Sequence, residues 1–239
     1  LRLYFLEMFN HPYRIQFLKK ANKQKFVPPK KLTNPIFTET QSKSFGVSIG
    51  DLGVSVVGSD KDRSSRTDRY AQGPFIKLGK YARIPFVGSA SPDVWNSAAS
   101  ISTMAASHAL CCIPRNGVMS DVTRQKDLAL EVFDWLDKTA EVVLKNRDDK
   151  AEVLTMWRRN VMGTLESSPE KALVRAQILF DAGVRTFRVY SPEPGTGPVE
   201  TVIALRKKYG QKIEIFTGMI VDVEQGVKAE RSGADGLYL

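Results

Sequence analysis

The chain has 239 residues, 42% hydrophobic and 26% charged, an ordinary globular composition with room for one α/β barrel or two small domains. No apolar run approaches the roughly 20 residues of a membrane-spanning helix. The net charge of +9 suits phosphate-bearing ligands or a polyanion, but much of it sits in Lys19, Lys20, Lys23, Lys25, Lys30 and Lys31, with no interleaved aromatic platform or motif pointing to nucleic acid.

Residues 1–20 read as an amphipathic surface helix broken at Pro12, and 21–35 as a polar, proline-containing connector. The first nine residues are too short and too acid-interrupted for a signal sequence. Residues 1–34 hold one acid, Glu7, among many bases, which leaves an organellar presequence open beside a cytoplasmic location. Residues 45–58 alternate small and apolar side chains and read as one or two short strands, and 59–73 as a charged, serine-rich loop. From residue 84 a strand–helix rhythm sets in. Strands are expected over 84–88, 109–113, 159–163, 186–190, 212–217 and 236–239. Helices are expected over 94–107, 121–145, 146–157, from Pro169, and over 198–209 and 222–231. Gly183 and Gly233 stand just past two helix ends, where a left-handed C-cap favours glycine. Helix, glycine and buried strand, repeating at about 50 residues, predict a parallel α/β sheet. In such folds the chemistry sits on the loops that follow the strands. The chain begins at Leu1 and stops at Leu239 just after a strand, so it is expected to be part of a longer protein.

Cys111 and Cys112 are adjacent within an apolar run. Neighbouring cysteines rarely bridge, and two alone make no zinc site, so they read as small core residues of a reducing compartment. His108, just before a strand, reads as a packing residue. Neither a Ser/His/Asp set, a metal cluster nor a phosphate-binding loop is present, and Gly50-Asp51-Leu52-Gly53 is too short for a dinucleotide fingerprint.

Residues 83–125 contain R-I-P-F-V-G-S-A-S-P-D-V, a small-residue helix, and a strand ending C-C-I-P-R-N. Further on come Val161-Met162-Gly163-Thr164, Phe180-Asp181-Ala182-Gly183-Val184, Gly218, and Ser232-Gly233-Ala234-Asp235-Gly236. In this order and at these spacings the segments resemble the IMP dehydrogenase/GMP reductase family over about residues 83–239. With the rhythm above, the resemblance implies a TIM (β/α)8-type barrel over 45–239, of which about six parallel strands lie in this chain, behind an N-terminal extension and linker over 1–44. No nucleotide-sensing insert of the kind many members carry stands between strands two and three.

The resemblance implies substrate contacts at Ser89, Asp93, Arg115, Asn116 and Gly218, and cofactor contacts at Gly163, Ser191 and Glu193. From the residues alone, Ser89 is equally a turn serine, Asp93 a helix cap, Asn116 a turn residue and Glu193 part of a rigid two-proline loop. Arg115 at a strand end suits phosphate or carboxylate, or a loop salt bridge. Gly218 permits close backbone approach or a tight turn. Three positions depart from the family pattern: Tyr190 stands where it has the ribose-binding Asp, Met219 where it has an Asn, and Tyr238 where it has a basic residue. The family's catalytic cysteine loop would follow Leu239. The resemblance therefore implies an NAD- or NADP-dependent purine nucleotide oxidoreductase (IMP to XMP, or GMP to IMP), with room for a monovalent cation and with self-association into a tetramer or larger. The departures leave two other readings: a non-catalytic, nucleotide-responsive or architectural relative, and a flavin-using phosphate-binding barrel.

Overall fold

The computed structural model describes residues 11–23, 76–84, 87–88, 97–191 and 196–237. Helix α1 (Pro12–Ala21) is followed by an antiparallel hairpin of β1 (Ile76–Leu78) and β2 (Tyr81–Arg83). The α/β rhythm then runs β3 (Val87–Gly88), α2 (Ala98–Ala106), β4 (Leu110–Ile113), α3 (Val122–Val143), α4 (Lys150–Arg159), β5 (Val161–Leu165), α5 (Pro169–Asp181), β6 (Thr186–Tyr190), α6 (Gly197–Tyr209), β7 (Glu214–Gly218), α7 (Val223–Arg231) and β8 (Gly236–Leu237). Strands β3 to β8 lie side by side in chain order and all pair in parallel, forming one curled six-stranded sheet. The six parallel strands expected from the sequence are these. No further strand closing the sheet is seen among the described residues.

Local chemistry sets the helix ends. Ser97, Asp121 and Asp222 each accept a hydrogen bond from a backbone N–H of the first turn of α2, α3 and α7. Gly183 and Gly233 end α5 and α7 with φ near +100°, a conformation that side-chain-bearing residues avoid. The long segment between β4 and β5 holds two helices, α3 and α4, as expected.

Successive residues of the strands face opposite sides. One side, packed under the helices, carries Ile113, Val161, Leu165, Phe187, Val189 and Ile215. The other side carries Leu110, Cys112, Met162 and Phe216, on which Leu78 of the hairpin packs. Both cysteines are buried, as core residues should be.

Pro12 opens helix α1, since proline fits the first helical turn, where the N–H has no partner to lose; the part of the expected helix that precedes it lies outside the described residues. Two features differ from the sequence reading. Helix α4 runs on through Arg158 and Arg159, cations suited to a helix C-terminus, so β5 begins two residues later than expected. The hairpin was not anticipated. Its turn is Gly79-Lys80, with Gly79 at φ +69°. The expected strands over 45–58 and the loop over 59–73 lie outside the described residues.

The hairpin lies against the amino end of the sheet through a buried ion pair. Both side chains of Arg83 and Glu214 are fully inaccessible, and the Arg83 fork meets the two carboxylate oxygens at 2.8 Å each. Arg83 also donates to Asn160 Oδ1 (2.8 Å), to Arg159 O (3.1 Å) and to Leu78 O. Glu214 in turn accepts the Lys80 N–H at 2.7 Å.

Helix α1 is likewise part of the packed body. Leu18 is wholly buried. Arg14 donates to Thr103 (2.7 Å), Thr139 (3.0 Å) and Ser102 (3.3 Å), and burial lowers its pKa to about 10. Asn22 donates to Leu18 O and Ala106 O at 2.9 Å, which leaves its Oδ1 to accept from His108 Nε2 at 2.8 Å. His108 is therefore a packing residue, and burial with the nearby Arg147 lowers its pKa to about 4.

Candidate functional site

The alternation that puts Met162 and Phe216 on the inner side of the sheet also puts Thr164, Thr186, Arg188, Tyr190, Glu214 and Gly218 there. They lie in layers. Thr186 is in register with Glu214 at the amino end, Thr164 and Phe216 flank Arg188 one layer up, and Tyr190 pairs with Gly218 at the carboxyl rim. The two ends differ in chemistry. The lower layer holds the Arg83–Glu214 pair, with both charges neutralised. The upper layers hold a guanidinium, two hydroxyls and two aromatic rings, and none of Thr164, Arg188, Tyr190, Phe216 or Gly218 is acidic.

Arg188 lies with its guanidinium carbon 4.6 Å from the centre of the Tyr190 ring, a cation–π contact. Thr164 is only 5% exposed, and its hydroxyl oxygen is buried without a hydrogen-bond partner. Ser191, also buried, extends the β6–β7 ladder by donating its N–H to Gly218 O at 3.3 Å. Arg115 follows β4, half-buried, with its Nε enclosed and unbonded. Asn116 is exposed and precedes a 3-10 turn over Gly117–Ser120.

A second layer outside the sheet holds the loops after β4 and β5. Gln125 of α3 donates to Pro114 O and Thr164 O, each at 3.0 Å. Its own oxygen accepts from Arg175 at 2.9 Å, and Arg175 also donates to Ser120 O (2.9 Å) and Glu166 (2.8 Å). Glu166, the acid that follows β5, is thereby paired with Arg175. A groove of about 330 Å³ opens beside this network, lined by Val122, Glu166, Glu170, Lys171, Val174 and Arg175. It lies among the helices and belongs to a different face from the inner layers.

The expected site residues divide accordingly. Arg115 and Asn116 stand at the carboxyl end of β4, Ser191 at that of β6 and Gly218 at that of β7. Gly163 does not reach the rim. It is mid-strand, and a Cβ there would meet Leu179 Cδ1 of α5 at 2.8 Å, so its smallness serves helix–sheet packing. Ser89, Asp93, Glu193 and Tyr238 lie outside the described residues. Cys111 is not poised as a nucleophile: it packs under the helices, and burial, with Cys112 beside it, pushes its thiol pKa well up. Among the described residues no group of three or more His, Cys, Asp or Glu could hold a metal ion. No helix there is long and apolar enough to cross a membrane.

Sequence reasoning passed over Thr164 and Arg188 as site residues. A signal was present: Thr186, Arg188 and Tyr190 alternate with Phe187 and Val189, so polar groups fall on one face of a strand with both faces covered.

No protein-family model matches the chain, and no curated protein does. Among solved structures, an IMP dehydrogenase/GMP reductase-like protein from Corynebacterium glutamicum ATCC 13032 Kitasato aligns with a TM-score of 0.41 at 15% identity, over 67% of this chain and 46% of that one. This chain thus spans less than half the length of that protein.

Proposed function

We propose that this chain supplies the first six strands of a (β/α) barrel of the IMP dehydrogenase/GMP reductase type, and that the whole protein is an NAD(P)-dependent oxidoreductase of purine nucleotides. The observation that carries this reading is positional. The segments that resemble the family, Arg115-Asn116, Val161 to Thr164, Gly218 and Gly233-Ala234-Asp235, follow one another along a parallel sheet in chain order. Arg115, Asn116 and Gly218 fall at strand carboxyl ends, where barrels keep their chemistry. Arg115 offers a planar fork for a phosphate, and Gly218 lets a ligand approach the backbone. Of the residues assigned to a nicotinamide cofactor, Ser191 alone stands on the described rim, as a hydroxyl beside the β7 backbone. The nucleophilic thiol the chemistry requires is supplied by neither Cys111 nor Cys112.

One observation favours a second reading, a non-catalytic nucleotide-binding relative. Tyr190, at the place of the family's ribose-binding carboxylate, stacks with Arg188 and presents a ring where an acceptor should be. The two readings separate in one pair of measurements on the protein: calorimetric titration with IMP and GMP, and the change in NAD(P)H absorbance with each nucleotide. Binding with turnover is the expected result. Binding without turnover leaves the second reading, and binding of neither nucleotide refutes both.

A further inference from the structure

We propose that the amino end of the sheet carries a docking surface for the phosphodiester backbone of a nucleic-acid duplex, formed by Arg159, Arg185, Lys207, Lys208 and Lys212. The inference does not require the redox chemistry proposed above. Lys19 to Lys31 are the basic stretch that the sequence shows at once, and this surface uses none of them. The fold gathers it from the end of α4, the residue before β6, and the end of α6 with the 3-10 turn that follows, Gly210–Lys212. In a parallel sheet all of these stand at the amino ends of the strands. Two observations bring them together. Arg159 donates to Lys212 O at 3.1 Å, so the end of α4 touches the turn after α6. Arg185 feels Arg159 directly: burial first, then the Arg159 charge, lower its pKa, and Asp181 offsets only part of that.

None of the five cations takes part in an ion pair among the described residues, whereas Lys80, Arg83, Arg158 and Arg206 are each paired with an acid. The two guanidiniums are held by neutral groups. Arg185 donates to Val184 O at 2.9 Å and lies 3.7 Å from the centre of the Phe180 ring; Arg159 lies 5.9 Å from that of Tyr81. Such contacts fix direction and leave the charge and the remaining N–H donors for a ligand. Asp181, which bears on Arg185, accepts from Gln177 at 2.8 Å and forms no ion pair with the arginine. The helix dipole favours Lys207 and Lys208 in the last turn of α6, but Arg185 stands in no helix and sits beside a like charge. Crowded like charges raise the free energy of the unbound protein, and a polyanion relieves it. The rest of the surface selects the partner. Protein interfaces and membrane anchors set apolar or aromatic groups among their charges. Here the large hydrophobic side chains that are exposed lie elsewhere, with Ile203, one turn before Lys207, the nearest along the chain. Tyr81, Phe180 and Tyr209 already carry Arg159, Arg185 and Lys208 on their rings, so the surface lacks the open platform on which the bases of a single strand stack. Cations without a stacking platform suit a duplex backbone, read without regard to sequence.

The test uses the chain as it stands and a fluorescently labelled DNA duplex of arbitrary sequence, read by anisotropy across a salt series. Saturable binding at about 1–100 μM near physiological salt is expected, falling with salt at a log–log slope of about −3 to −5. Arg159→Gln with Arg185→Gln should weaken it about 10-fold or more and reduce the slope by about 2, equally for unrelated sequences. Lys207→Gln with Lys212→Gln should act likewise; both side chains are exposed, so this variant keeps the test open if the arginine variant folds poorly. Lys126→Gln with Lys171→Gln, near the starts of α3 and α5 and so at the opposite end of the sheet, removes the same charge and should shift the affinity by less than about 2-fold. Absence of saturable binding, binding indifferent to salt, or an equal loss in the Lys126 and Lys171 variant would overturn the surface. Displacement of the duplex by polyglutamate or by phosphatidylserine vesicles as readily as by unlabelled duplex would overturn the assignment to nucleic acid. Tighter binding of the single strand would overturn the assignment to a duplex. Duplex binding that depends on Arg159 and Arg185, without binding of IMP or GMP, would refute the proposed function and leave this surface standing. Turnover of IMP or GMP without duplex binding would do the reverse.

Discussion

Replacing Glu214 with Gln isolates the energetics of the amino end of the sheet. The substitution keeps the volume and removes the charge. In the native protein the Arg83 fork meets both carboxylate oxygens at 2.8 Å, and both side chains are wholly inaccessible. In Glu214→Gln one oxygen becomes an NH2 group facing an Arg83 N–H, donor against donor, and the Arg83 guanidinium loses its counter-charge. Its remaining acceptors are Asn160 Oδ1, Arg159 O and Leu78 O, all neutral. Breaking one partner of a buried pair costs about 3–5 kcal/mol. For a chain of this size, at about 2–4 °C per kcal/mol, that lowers the melting midpoint by about 6–20 °C. A double variant, Arg83→Met with Glu214→Leu, removes both charges and should lie closer to the native stability than Glu214→Gln does. Urea and thermal unfolding of the three proteins form the assay. A loss under about 1 kcal/mol in Glu214→Gln, or a double variant less stable than the single one, would refute the argument that an uncompensated charge is what destabilises.

Two further outcomes follow from buried groups on the helix side. His108 is held neutral, its pKa lowered to about 4 by burial and by Arg147, so the unfolded chain binds the extra proton between its ordinary value near 6.5 and about 4. The stability it confers is complete above pH 6.5 and is lost as pH falls toward 4, by about 3 kcal/mol in all; chemical denaturation across that range should show the decline, and a His108→Gln variant should flatten it. Gly163→Ala places a Cβ 2.8 Å from Leu179 Cδ1 and 3.4 Å from Phe187 Cδ1. It should destabilise by about 1–3 kcal/mol in urea while leaving ligand affinity at the rim unchanged, as a packing role requires and a cofactor-binding role does not.

The sheet was legible because its signals are local. The glycines past α5 and α7, the buried apolar runs and the capping residues Asp121 and Asp222 each act within a turn of chain. The boundaries that moved did so for reasons equally local but two-sided: Arg158 and Arg159 are acceptable in a strand, and only the observed helix shows that they finish α4. The hairpin failed to register because its strands are three residues long and draw their stability from elsewhere. Arg83 in isolation reads as a surface cation, and its partner Glu214 lies 131 positions along the chain. Arg188 was missed for the opposite reason. Its face was inferable from the alternation around Phe187 and Val189, but a strand covered on both sides leads a reader to count apolar residues and pass over the one charge among them. The resemblance reached Arg115, Asn116, Ser191 and Gly218 at strand ends. For Gly163 it offered a cofactor role where the nearest groups are the side chains of Leu179, Phe187 and Val184.

The two ends of the sheet therefore answer to different demands. At the amino end the inner polar groups close on one another: Arg83, Glu214, Asn160, Thr186 and the Lys80 N–H each have a partner within the chain. At the carboxyl end the pattern stays open, with Thr164 Oγ1 and Arg115 Nε enclosed and unbonded. Trp157 Nε1 and Thr217 Oγ1 are also unbonded, but on the helix side, and nothing in the structure explains them. A closed polar layer stabilises the fold and has nothing to offer a ligand. An open one weakens the fold by about 1–3 kcal/mol for each buried group left unmet, a loss that a ligand meeting those groups would return. Glu214→Gln should then lower the melting midpoint, while Thr164→Val should hold or raise it. A Thr164→Val protein that is markedly less stable than the native one would mean that the hydroxyl already serves the fold, and the division between the two ends would fail.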